Sequence, residues 1–458
     1  MIQDENGNLC IDRFEKYKYL PIKIIVSYLL FTIILYTIGV FEWKTYSPVL
    51  FYSLQGLYIV ALGSGYYIGI NSKKRKLVVW NEKFNTKLIT IIIPILLIDI
   101  FILLINMFRE YGYGNFDFIG LFNDIKFGLG NMGAGYEARY QQQLEGGSRV
   151  IGGSLFSAFN IIWGFLELNV ILLSIIYFKK FKKWQKVLAS ICCFEIVIFF
   201  VSVGTNIGVF RIVLGILVFF VFRVMQQHLK NYDKSKSFFR KIIPIVSIAI
   251  IISVVYFVST MRSRGGILYW EQSDYNVGGV GLNRESILFK IFPEFMYIPL
   301  ISLSSYLTQG YYGFALSLEV PWTPMFGAGC SLQFVDQISE LFVDIGKYTY
   351  QYKIEQQFGW DSRIQWASAY TWIANDVGHW GVIIILFAIG YLFAITYRES
   401  VCSENPFSKM MFYYLLITCI FLPCNFQIIQ SLYTLAAFIF CFVAWLLTTK
   451  RIKIGKIK

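Results

Sequence analysis

The chain of 458 residues is 56% hydrophobic and 15% charged, with a mean hydropathy of +0.57, which excludes an average soluble domain. Its formal net charge of +13 resides mostly in short segments between apolar runs, so it reads as an orientation signal, and no nucleic-acid partner is expected. Of eight cysteines only Cys330 falls in an expected outer loop, which excludes an intramolecular disulfide there, and no zinc-type spacing occurs.

Apolar runs close to the ~20 residues that cross a bilayer recur along the chain. They are predicted as helices at 21–40, 48–70, 88–108, 154–177, 187–203, 206–222, 242–259, 380–397, 410–428 and 432–448, because lipid leaves the backbone no partner but itself. Segments 187–222 and 410–448 read as hairpins. The first run has full span length and follows polar residues, so a cleavable signal peptide is not expected. Segments 1–20, 71–87, 178–186, 223–241, 398–409 and 449–458, with Lys23, hold 28 of the 41 Lys and Arg. The opposite side carries 12 basic residues against 17 acidic ones. Both termini are therefore expected in the cytoplasm and loops 109–153 and 260–378 outside. No internal repeat divides the chain, so one all-α polytopic membrane domain is expected over 1–458, with about ten transmembrane helices.

In the first outer loop, Arg139 and Arg149 lie near Gly146-Gly147 and Gly152-Gly153. Arginine use differs between the two sides: 6 of 28 basic residues inside, 7 of 12 outside. A guanidinium fork grips phosphate or carboxylate at two points where lysine offers one, so the outer bias suggests anion recognition; local ion pairs are the alternative. Asp99, Glu167 and Glu195 fall inside spans, where a structural partner, a neutral form or an interfacial position is expected. Arg211 stands four residues into a span, in Gly204-Thr205-Asn206-Ile207-Gly208-Val209-Phe210-Arg211. An intramembrane charge is expensive and faces a polar cavity or a partner, and this depth suits a lipid-linked diphosphate. Snorkelling, or pairing with a buried acid, is the competing account. Arg262 and Arg264 follow where the seventh span emerges, before Gly265-Gly266. They would converge on a ligand around a bent helix end, or simply cap it.

Loops longer than about 15 residues are usually functional or disordered. The stretch 260–378 carries Trp270, Trp322, Trp360, Trp366 and Trp372, which reads as an ordered working surface. Within it, 287–318 predicts a re-entrant or interface-lying pair of helices, with Tyr306-Leu307-Thr308-Gln309-Gly310-Tyr311-Tyr312-Gly313 as the turn. Gln309 and Tyr311 suit sugar hydroxyls and ring faces, although Tyr also belongs at any membrane interface. Phe334, Ile338, Leu341, Phe342 and Ile345 have helical spacing, predicting an amphipathic helix packed on the core. Asp376 and His379 are three apart at the start of the eighth span, so both are expected on one face as candidate general bases. Helix capping by Asp376 is the alternative. No external Asp-x-Asp pair of the metal-nucleotide kind occurs.

This layout, with Gly204-Thr205-Asn206 before a span, Gln309-Gly310-Tyr311-Tyr312 in the long loop and Trp372-Ile373-Ala374-Asn375-Asp376-Val377-Gly378 before the next span, resembles the Wzy-type oligosaccharide repeat-unit polymerases. The resemblance covers most of the chain. It implies a GT-C-like, metal-independent, inverting glycosyltransferase of the bacterial plasma membrane with no cofactor. Such an enzyme transfers an undecaprenyl-diphosphate-linked glycan, an O-antigen or capsule unit, to the next lipid-linked repeat, and works with membrane lipid and a chain-length regulator protein. The resemblance implies that Arg211, Arg262 and Arg264, with Arg139, Arg149 and Arg363, hold the diphosphate. Related O-antigen ligases use an outer histidine as base, a role open to His379. The opposing readings are a flippase for lipid-linked sugars and an O-antigen ligase.

Overall fold

The computed structural model describes residues 14–72, 82–112, 116–135, 153–230, 238–265, 275–361 and 363–449. Eight helices are long and apolar enough to cross a membrane. They lie within α1 (Leu20–Ile38), α2 (Pro48–Asn71), α3 (Glu82–Glu110), α5 (Gly153–Tyr177), α6 (Lys183–Ser202), α7 (Ile207–Lys230), α8 (Phe238–Gly265) and α12 (Ala369–Cys402). Two shorter apolar helices, α13 (Pro406–Phe421) and α14 (Leu432–Thr448), follow. The two long connecting segments add α4 (Phe118–Gly130), α9 (Tyr297–Ser317), α10 (Leu332–Leu341) and α11 (Tyr350–Phe358). An all-α polytopic membrane architecture is thus present. The run expected at 410–428 ends as a helix at Phe421, and the chain then turns before α14.

The first hairpin forms as expected, because Gly204 takes φ +66° and reverses the chain between α6 and α7. That left-handed conformation carries no Cβ penalty in glycine. Buried polar groups fasten the helices elsewhere. Asn169 on α5 donates to the Ala437 carbonyl at 2.9 Å and accepts from the Tyr414 hydroxyl at 3.1 Å. Toward the other end of the bundle, Gln226 donates to the Ser400 and Ser403 carbonyls at 3.0 and 2.9 Å.

The spine is α2 against α12. A Cβ at Gly65 would strike the Phe387 carbonyl, one at Gly390 the Leu62 carbonyl, and one at Gly69 would sit 2.6 Å from the Tyr391 oxygen. Small residues at these spacings let two backbones touch, which is how apolar helices gain dispersion contact in lipid. Gly63, two residues away, faces open space. Gly65→Leu is expected to lower the melting temperature in detergent or prevent assembly, whereas Gly63→Leu leaves both unchanged; equal melting of the two variants would refute this packing.

The long segment between α8 and α12 is stitched to the end of α1. A two-stranded hairpin, β1 (Asn276–Val277) and β2 (Val280–Gly281), turns through Gly278 and Gly279, both at positive φ. Glu42 then donates to the Gly281 carbonyl at 3.1 Å, Asn283 to Val40 at 2.8 Å, and the Ser286 hydroxyl to Ile38 at 3.1 Å. From there α9 runs to the end of the bundle where α1 ends and α2 begins. Its Ile301 packs with Val40 and Phe41, and its Thr308 accepts from the Trp43 indole at 2.8 Å. Just beyond its end, Glu319 accepts from Ser47 at 2.6 Å, at the start of α2.

This placement corrects two expectations. The run 306–313 is no turn between paired helices; it is the middle of one 21-residue helix, and from Thr308 to Ser317 every residue is buried. Gly310 explains why a helix replaced the turn: its missing Cβ admits the Pro423 and Cys424 carbonyls against the helix. The amphipathic helix α10 forms, but only its Val335 is buried; Leu332 packs half-buried against the core and Ile338 is half-buried, while Phe334, Leu341 and Phe342 are exposed. Helical spacing marks an apolar face without saying what covers it.

Candidate functional site

Arg211 lies one turn into α7, at the end expected to face outward. Phe210 beside it packs on Phe421 of α13, with ring centroids 5.6 Å apart. Tyr413, Tyr414 and Tyr433 lie within electrostatic reach of the guanidinium, and the Tyr413 hydroxyl donates to the Arg211 carbonyl at 2.9 Å. Tyr433 in turn donates to the carboxylate of Glu167. Its ring rests on Gly164, where any side chain would collide with it. Among the described residues no carboxylate pairs with Arg211. A cation in an apolar helix is costly without a partner, and phenols are what surround this one. Asp99 instead has a structural partner, the Trp163 indole, which donates to Oδ1 at 2.8 Å.

The C-terminal end of α8 comes to the same neighbourhood through the segment that carries α4. Gly133 donates to the Ser263 hydroxyl at 2.6 Å, and Gly128 and Gly135 both lie against Ser202 at the end of α6, just before the Gly204 turn. The chain positions of Arg262 and Arg264 therefore sit near the mouth of the α6–α7 hairpin. Their side chains, and all of Arg139 and Arg149, lie outside the described residues. The backbone stays helical through Gly265. Positions two residues apart on such a helix diverge by about 200°, so the bent terminus expected to make the pair converge is not there.

Arg363 is exposed and stands apart from Arg211. Its charge acts instead on Asp336 of α10, whose carboxyl burial raises and Arg363 lowers, with burial the larger effect. Gln309 and Tyr311 are buried in α9. Gln309 accepts from the Trp366 backbone at 3.3 Å, and the Tyr311 hydroxyl meets the Thr32 hydroxyl at 3.0 Å. Both polar groups hold α9 in the bundle.

Asp376 and His379 do not share a face. Gly378 between them adopts φ +68° and ψ 165°, which breaks α12 into a first segment, 369–377, buried as far as Asn375, and a second one from His379 to Cys402. An i,i+3 relation holds only on an unbroken helix. Asp376 Oδ1 accepts from the Gly327 and Gly329 backbones at 2.8 Å each, closing the turn that precedes α10. Capping is not its role, since Ser368 caps α12 by accepting from Thr371. His379 faces the other way. Its Nε2 lies 3.4 Å from the Ser317 hydroxyl and 3.3 Å from the Ser317 carbonyl, and its ring packs between Phe314 and Tyr350. Its Nδ1 is buried without a partner.

Two sets of residues are not marked as functional by the sequence. Asn375, fully buried, accepts from the Tyr350 backbone and donates to Gly329 and Gln351, each at 2.8 Å, so it ties α11 and the 325–329 turn to α12. The tyrosines around Arg211 come from helices more than 200 residues away, and no local pattern marks them. Arg211 and His379 also lack direct contact. Phe421, which packs on Phe210, adjoins Leu422, whose carbonyl accepts from Ala369, while His379 stands beyond the far end of that segment. Among the described residues no three His, Cys, Asp or Glu gather as metal ligands would. Comparison with family models, with curated proteins and with solved structures finds no match to the chain.

Proposed function

We propose that the protein is a polymerase of lipid-linked oligosaccharide repeat units, a glycosyltransferase on the outer face of a bacterial plasma membrane. In this reading α13 and α14 join the eight longer helices as spans, both termini are cytoplasmic, and α9 to α11 roof the outer end. The observation that carries it is Arg211, an intramembrane guanidinium one turn from a helix end, with tyrosines around it and, among the described residues, no carboxylate paired to it. An undecaprenyl-diphosphate-linked glycan brings a dianionic group to that depth.

The acceptor hydroxyl oxygen attacks the anomeric carbon of the donor glycan. The bond from that carbon to the diphosphate oxygen breaks with inversion, its electron pair stays on the diphosphate, and the hydroxyl proton passes to a base. Fixed cations stabilise the departing charge, a role for Arg211 together with the arginines at 262 and 264 and, from the first outer loop, 139 and 149. His379 is the better base of the two candidates, because its Nδ1 has no partner while Asp376 Oδ1 is committed to two backbone amides. A ring nitrogen sealed under Phe314 and Tyr350 serves only once the roof opens to admit the acceptor.

Deleting the gene is expected to abolish long surface glycan while single repeat units persist; loss of every repeat would point to export or ligation. A cysteine placed at Asn131 or Gln357 is expected to react with an impermeant reagent on intact cells, and one at Lys74 is not. One observation favours transport as the second reading: broken helices line substrate sites in transporters. The position of the break speaks against it. The 24 residues from His379 to Cys402 span about 36 Å, more than the ~30 Å hydrocarbon core, so the break falls at the outer boundary and not at midplane.

A further inference from the structure

The turn 325–329 is rigidly built, yet it presents an apolar side chain to the outside. Phe326 is 88% exposed, and its φ of +53° is a left-handed conformation disfavoured for any residue with a Cβ. The turn is held in this shape from below. Met325 donates to the Asn375 carbonyl at 3.2 Å, and Asp376 takes the Gly327 and Gly329 amides. Strain maintained by so many surrounding bonds points to use.

What lies beside the turn identifies the use. Trp322, itself half-exposed, rests over Gly378 and donates to the Asn375 carbonyl at 3.2 Å. Val377 and Trp380 flank the same glycine and are exposed, Trp380 to 62%. One turn on, Ile384 is 71% exposed, in a helix apolar and long enough to cross a membrane. Trp380 and Ile384 therefore belong to the stripe that α12 turns to lipid, and the patch of Trp322, Phe326 and Val377 continues it outward. The length of the second segment of α12 puts Gly378 at the membrane boundary, where aromatic rings concentrate.

We propose that the 325–329 turn is a membrane-seated wedge: Phe326, with Trp322 beside it, inserts among the phospholipid chains of the outer leaflet. Asp376 is then the anchor that fixes the wedge to α12. The seat anchors the roof helices α10 and α11, which follow the turn directly, at a constant height over the bundle. This inference rests on the proposed orientation for the choice of leaflet and otherwise needs only that the chain is embedded in a bilayer; it does not rest on glycosyl transfer.

The test places a benzophenone amino acid at position 326 of the full chain, reconstituted in phospholipid vesicles without any polyprenyl substrate. Phospholipid adducts on irradiation are expected, as they are from the same group at Ile384. Adducts between two copies of the chain, adducts that form only after undecaprenyl diphosphate is added, or no lipid adduct at 326 when 384 gives one, would each overturn the proposal. Phe326→Trp provides a gentler second measurement. Its added fluorescence should be quenched by brominated phospholipid, whereas quenching by aqueous iodide alone would place the ring in water.

Discussion

Arg211→Lys is expected to lower the rate of polymerisation about 10²–10³-fold, the usual cost of losing one well-placed donor to a developing negative charge. Lysine retains the positive charge and most of the length, but it replaces a planar fork with a point charge that cannot bridge two phosphate oxygens. The packing of the site argues that the fold tolerates the change. Among the described residues Arg211 makes no ion pair, and the bond it shares with Tyr413 uses its carbonyl, which lysine keeps. The measurement is extension of purified lipid-linked repeat units in proteoliposomes, read as a glycan ladder, with melting temperature as the control for folding. A long ladder at the normal rate from a well-folded Arg211→Lys would remove Arg211 from the site and leave it a topological residue.

The second large effect concerns proton transfer. His379→Ala is expected to slow chain growth by about 10²–10⁴-fold, the range of a general base, and to leave binding of the lipid-linked unit largely intact. Alanine also removes a ring packed against Phe314 and Tyr350, so His379→Gln is the informative partner. Glutamine can still donate to the Ser317 carbonyl, yet it cannot take a proton. A dead, stable His379→Gln supports the base. An active one makes His379 part of the packing. Asp376→Asn retains the Oδ1 acceptor for the Gly327 and Gly329 amides and is expected to keep both the turn and the ladder. Collapse of the ladder with a normal melting temperature would return the basic role to Asp376.

Several features were legible in the chain alone because they depend on local physics. Long apolar runs must become helices in lipid, since their backbone amides have nowhere else to bond, and α1 to α3 and α5 to α8 appear close to where composition puts them. The lone arginine in an apolar run, Arg211, marks itself by its cost. The Gly204 reversal and the period of α10 are likewise readable within a dozen residues. What tertiary structure decided are matters of who touches whom. Whether 306–313 bends or runs straight depends on Pro423 and Cys424 pressing against Gly310, more than a hundred residues on. Whether Asp376 and His379 share a face depends on one dihedral at Gly378, and the flanking sequence permits helix there as readily as a break. The phenols around Arg211 come from the last two apolar helices, and their meeting is a result of helix packing. Hydrophobic pattern sets which stretches are buried in lipid or protein; side-chain complementarity between distant helices sets which polar groups end up in one place.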